Sequence, residues 1–166
     1  GAGGTSELWI EVGIAQALIG SPKLIIVDEP TAGLDPGERN RFHNLLADVG
    51  REVIVILSTH IVDDVKELCS EMAIMNLGSI VYKGSPAEAM EDIRGHVWQK
   101  VIDRDDLERY QREQTIISEK MIAGKPIIHI YCDSDPGDGF TLVEPNLEDV
   151  FFSRIHQSAL NFNLTA

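Results

Sequence analysis

The chain has 166 residues with 27 acidic against 14 basic side chains, a formal net charge of −13 at pH 7. That balance argues against nucleic acid as a main partner, because neutralising phosphates takes clustered Lys and Arg. The length allows one domain or two small ones, with enough chain to bury a core.

Cys69 and Cys132 stand far apart and form neither a CxxC pair nor a Cys/His ligand cluster, so they read as ordinary thiols of a reducing compartment. No apolar run approaches the roughly 20 residues that span a bilayer. With no signal peptide in view, the sequence reads as a soluble, intracellular protein able to dock on a membrane partner.

In chain order, Gly1-Ala2-Gly3-Gly4 looks like a linker, a cloning remnant or an internal cut. Leu8 to Leu18 reads as a helix with Gly13 a weak position inside it. Leu24-Ile25-Ile26-Val27 then forms an apolar, β-branched run, expected to be a strand buried on both faces inside a parallel sheet. It stops at Asp28-Glu29-Pro30, where Pro30 cannot donate to a ladder and opens the exit loop. An apolar run closed by acids is also how an ordinary strand meets water. The residues that follow favour a site.

Asp35-Pro36-Gly37-Glu38 has the form of a capping box with proline at the first helical position. Phe42, Leu45, Leu46 and Val49 recur at helical spacing behind it. A second apolar strand, Val53 to Leu57, ends in Ser58-Thr59-His60. The unit is βαβ, so the crossover should be right-handed and both strand ends should share one edge. His60 is thereby expected beside Asp28 and Glu29, at the carboxyl edge where open α/β sheets place ligands. An acidic pair there is suited to holding Mg²⁺ and orienting a water for phosphoryl transfer.

Beyond His60, Ile61, Val65 and Leu68 mark a short helix, and Met72–Met75 with Ile80–Tyr82 a hairpin around Leu77-Gly78. Ser85-Pro86-Ala87-Glu88 is a second capping box, opening a helix that ends near Gly95. The remainder reads as a small α+β segment. It has strands at Val97–Ile102, Ile127–Tyr131 and Thr141–Val143, a polar helix at Asp105–Gln114, and a last helix capped by Asn146. The acidic loop Asp133 to Gly139 lacks EF-hand spacing and a terminal Glu, and reads as a solvated turn.

The segments LIIVDEP, TAGLDP and LSTH, in this order and spacing, resemble the Walker B, D-loop and switch-histidine segments of the ATP-binding-cassette (ABC) ATPases. The resemblance implies that Asp28 holds Mg²⁺ through water, that Glu29 polarises the hydrolytic water, and that His60 contacts the γ-phosphate of ATP. It implies that Asp35 couples two nucleotide sites across a dimer with a second ATPase subunit, identical or not. Val12 to Leu18 is similar to the helix after the family's signature motif, yet Gly4-Thr5-Ser6-Glu7-Leu8 does not match that motif. No GxxxxGK[ST] phosphate loop occurs in the chain.

The expected fold class is therefore α/β, the C-terminal part of an ABC ATPase domain over residues 1–95, followed by a small α+β accessory domain over residues 96–166. Pro145 to Phe151 is similar to a P-x-LEDVF ending of ATPase subunits that serve bacterial exporters with separate permeases. The implied protein is the ATP-hydrolysing subunit of an exporter, peripheral on the inner face of the cell membrane, with this chain alone inactive. Two other readings remain open: a non-catalytic regulatory or dimerisation module of such a subunit, and a soluble ABC ATPase acting on DNA or ribosomes.

Overall fold

The computed structural model describes residues 12–164. The start of the expected Leu8–Leu18 helix and the segment Gly4 to Leu8 lie outside the described residues. The chain forms two compact units, the first ending at Cys69 and the second beginning at Ser70.

In the first unit a helix (α1) is described over residues 12–18. It is followed by β1 (Leu24–Asp28), α2 (Pro36–Val49), β2 (Ile54–Ser58) and α3 (Val62–Leu68). β1 and β2 pair in parallel, from Leu24 opposite Ile54 to Asp28 opposite Ser58. That register follows from the βαβ connection and brings both strand ends to one edge, as the sequence implied. α2 starts at a complete capping box, Asp35 Oδ1 accepting from the Glu38 amide and Glu38 Oε2 from the Asp35 amide. Such a cap is worth about 1 kcal/mol.

The core of this unit is Ile14, Phe42 and Leu46, with Leu45, Val49, Val55, Leu57 and Leu68 packed around them. Ile25, Val55 and Leu57 face inward, and their strand neighbours face outward because successive side chains alternate. The strand buried on both faces is thus corrected. Among the described residues nothing covers the second face, where Ile26 is 70% exposed, Ile54 66% and Ile56 52%.

In the second unit β3 (Met72–Asn76) and β4 (Ser79–Gly84) form an antiparallel hairpin. Both of its turn residues, Leu77 at φ +47° and Gly78 at φ +78°, are left-handed. A two-residue turn that matches strand twist requires this. α4 (Pro86–Asp92) carries the capping box of Ser85 and Glu88. β5 (Val97–Val101) leads through a 3₁₀ turn at Arg104–Asp106 into α5 (Leu107–Glu113), then β6 (Ile116–Ile122), β7 (Lys125–Tyr131), β8 (Thr141–Leu142) and α6 (Leu147–Leu164). The antiparallel sheet has the order β6-β7-β5-β8.

Alternation along β7 divides this sheet between two layers. Ile128 and Ile130 are fully buried with Ile102, Tyr110 and Phe140. His129, between them, faces the other way and places Nδ1 2.8 Å from Oδ1 of the buried Asp149 on α6. Asp149 also caps its own helix, accepting from the Asn146 amide while Asn146 Oδ1 accepts from the Asp149 amide. α6 touches β6 and also α4, β3 and β4. Residues 70–95 therefore pack with the C-terminal segment. The two compact units divide at Cys69 and Ser70, whereas the boundary expected from the sequence lies at residues 95 and 96.

Candidate functional site

The edge shared by β1 and β2 carries the candidate residues. The ladder runs one step past the strands, the Glu29 amide donating to the Ser58 carbonyl at 2.8 Å. Asp28, exposed at the end of β1, accepts a hydrogen bond from the Ser58 hydroxyl. At Glu29 the chain turns sharply, with φ +46°. A left-handed backbone costs a non-glycine residue about 1–2 kcal/mol and persists where surrounding contacts over-determine it. The turn is closed by the Ala32 amide donating to the Glu29 carbonyl at 3.2 Å.

His60 arrives from the end of β2. Its amide donates to Glu29 Oε1 at 3.1 Å, and its Nδ1 lies 2.8 Å from Glu29 Oε2. The second approach has the distance of an ion pair without hydrogen-bond alignment, so Oε2 is a buried oxygen with no hydrogen-bond partner. The imidazole is 77% exposed. Asp28, Glu29 and His60 are thus brought together at one edge. Asp35 stands apart from them as the exposed cap of α2, its carboxylate engaged by the Glu38 amide.

One group was not singled out from the sequence. Asp64, on α3, is fully buried. Its Oδ2 accepts from the Thr31 hydroxyl and sits 3.5 Å from that of Thr59. Its Oδ1 accepts from Arg39 Nε at 2.8 Å and lies 2.9 Å from His43 Nε2. His43 Nδ1 is 2.7 Å from Glu67 Oε2. Both ring nitrogens of His43 face carboxylate oxygens. Burial by itself pushes the Asp64 carboxyl up. The hydrogen bonds from Thr31, Arg39 and His43, with the Arg39 charge, outweigh it and hold Asp64 below the usual carboxylate range. In the sequence Asp63-Asp64 looks like an ordinary acidic first turn of a helix, and no local pattern marks the second acid as buried.

Chemically, the edge offers acceptors and one imidazole. Asp28 with the Ser58 hydroxyl beside it is an oxygen pair of the hard type that Mg²⁺ takes. That ion keeps several waters and needs only one or two carboxylates with substrate phosphates. Among the described residues no group of three or more His, Cys, Asp or Glu forms a full ligand cage. A single carboxylate reaching a metal through water fits the geometry here. Glu29 has one carboxylate oxygen bonded to the His60 amide and the other buried 2.8 Å from the His60 ring nitrogen.

The edge is thus built from a parallel strand pair, one strand ending in an acidic pair and joined through a capped helix to the other, which leads into a histidine. No family model matches the chain. It is 29% identical over 151 residues to the Nod factor export ATP-binding protein I of Rhizobium meliloti (strain 1021), covering 83% of this chain and 44% of the relative. It is 40% identical over 82 residues to the energy-coupling factor transporter ATP-binding protein EcfA2 of Clostridioides difficile (strain 630), covering 48% and 28%. It is 42% identical over 79 residues to the methionine import ATP-binding protein MetN 1 of Pseudomonas putida, covering 46% and 24%.

The relatives are ATP-binding proteins of ABC transporters, of import and export types alike. The chain spans less than half of the length of each. Resemblance to the ABC ATPases is thereby supported, and the exporter type is not singled out. Among the described residues no helix is long and apolar enough to cross a membrane.

Proposed function

We propose that this chain is the C-terminal part of the ATP-hydrolysing subunit of an ABC transporter. The observation that carries the reading is the junction of Glu29 and His60 beside Asp28 at the shared edge of β1 and β2. Glu29 takes the role of general base: its carboxylate polarises a water, and the His60 amide on Oε1 fixes the carboxylate's orientation. His60, with Nδ1 turned to Glu29, keeps Nε2 for the γ-phosphate of ATP. Asp28 and the Ser58 hydroxyl would hold Mg²⁺, whose charge would neutralise the phosphates.

Asp35, at the exposed start of α2, is assigned to coupling with a second ATPase subunit, a homodimer or a heterodimer partner. A transmembrane permease and a place on the inner membrane face follow from the same reading. Nucleic acid is not proposed as a partner, given the charge of −13. Kinship with the ATPase domain is proposed for residues 1–95, and an accessory role for residues 96–166.

Export is the direction of transport we propose. One export relative aligns over 83% of the chain and a second over 49%, against 46–57% for the methionine import relatives. Steady-state ATP hydrolysis by the full-length polypeptide tests the function, with His60→Ala expected to lower turnover by about 100-fold, as for loss of a transition-state contact. Unchanged turnover in that variant would remove His60 from the site.

A further inference from the structure

The turn that carries Glu29 and the loop that carries His60 belong to different strands, yet they meet at one further point, the buried carboxylate of Asp64. Thr31, two residues past Glu29 and itself buried, donates a hydrogen bond from its hydroxyl to Asp64 Oδ2. Thr59, next to His60, reaches the same oxygen at 3.5 Å, and its hydroxyl oxygen accepts from the Ile61 amide at 2.9 Å. From the other side α2 fixes Asp64 Oδ1 through Arg39 and His43. Asp64 has no exposed surface for a ligand. Its partners are the two loops and one helix.

We propose that Asp64 is a positioning residue for this site: one buried carboxylate holds the Glu29 turn and the His60 loop in register. This rests on the reading of Glu29 and His60 as the hydrolytic pair. The left-handed backbone at Glu29 needs a restraint close by, because a strained residue relaxes when its surroundings loosen. Pro30 is buried too, but Thr31 is the nearest residue after Glu29 whose side chain is hydrogen-bonded into the interior, and its anchor is Asp64. On the other loop, the contact at Thr59 is the weaker one. The Thr31 bond is therefore the one whose loss should free the Glu29 turn.

Thr31→Val tests this while leaving the Arg39 and His43 contacts to Asp64 Oδ1 in place, since it removes the hydroxyl and keeps the side-chain shape. The readout is hydrogen exchange at the His60 amide of the 166-residue chain, the amide that donates to Glu29 Oε1. Exchange there should rise about tenfold in Thr31→Val, the scale of one bond to a charged group, and return to wild type in Thr31→Ser. The Leu46 amide, inside α2, should be unaffected. An unchanged His60 rate in Thr31→Val would overturn the proposal, and so would equal acceleration at Leu46, which would signal general loosening.

In the full-length polypeptide the same variant should lower kcat while KM for Mg-ATP stays within about twofold, the signature of a lost alignment and not of lost binding. Wild-type kcat in Thr31→Val, with Glu29→Gln inactive, would overturn the positioning role alone. Wild-type kcat in Glu29→Gln would overturn the hydrolytic reading, and the exchange result would still decide whether Asp64 ties the loops.

Discussion

His60 meets Glu29 twice, once through its backbone amide on Oε1 at 3.1 Å and once through Nδ1, 2.8 Å from Oε2. The backbone contact survives any change of the ring. The ring contact does not, and the imidazole stands largely in solvent. His60→Ala should therefore leave the Glu29 turn in place and remove only what the ring does.

Asp64 makes the first unit acid-sensitive. Its carboxyl is held below the usual Asp value, so its contribution is complete above about pH 4 and is lost as pH falls through the lower folded value. Asp64→Asn removes that contribution and leaves Arg39 and His43 facing a neutral group. It should cost roughly 3 kcal/mol at neutral pH and flatten the loss of stability on acidification. Urea unfolding of both proteins at neutral pH and near pH 3 checks this. An equal loss on acidification in both would remove Asp64 as the cause.

The exposed face of β1 and β2 should make the chain self-associate. Ile26 and Ile56 are paired directly in the register and both are more than half exposed, with Leu24 and Ile54 beside them. A contiguous apolar face of this kind on a free surface favours association. Light scattering should show concentration-dependent species above the monomer, and Ile26→Lys with Ile56→Lys should restore the monomer. A wild-type chain that is monomeric at high concentration would contradict this.

Limited proteolysis should separate the chain near Cys69 and Ser70, where the two compact units divide. A cut near Gly95 would have to free residues 70–95 from their partners. Arg154 on α6 is 2.6 Å from Asp92, Arg94 is 3.1 Å from Glu144, and the hairpin and α4 rest on α6. The expected stable product begins close to Ser70. A product beginning at residue 96 would favour the division drawn from the ATPase resemblance.

Much of this was legible in local pattern. Asp35 and Ser85 announced two capping boxes, the apolar runs gave both parallel strands, and the βαβ rule put His60 beside Glu29. β6 was missed because Ser118-Glu119-Lys120 breaks the apolar run, and it is an edge strand bulged near Ile117, where polar residues are tolerated. Its turn, Ala123 and Gly124 both left-handed, was the available signal. Asp64 was hidden for another reason. Its burial depends on Thr31 and Arg39, 33 and 25 residues away, a tertiary fact that no local pattern carries.

The 166-residue chain alone should bind Mg-ATP too weakly to measure by calorimetry. Asp28 and Glu29 are acceptors and repel a triphosphate unless donors intervene. The phosphate loop that normally supplies those donors is not in this sequence. Charge-assisted hydrogen bonds contribute about 1.5–3 kcal/mol each, so lacking four of them removes a micromolar site. A micromolar isotherm from the chain alone would show that other residues supply the donors.

The central claim is that Glu29 is the base of an ATP-hydrolysing site, and Glu29→Gln in the full-length polypeptide tests it most directly. The carboxamide keeps the shape and can still accept from the His60 amide, but it cannot take a proton from water. Steady-state ATP hydrolysis should fall by about 100-fold or more while ATP binding is retained. Hydrolysis at the wild-type rate in this variant would contradict the account.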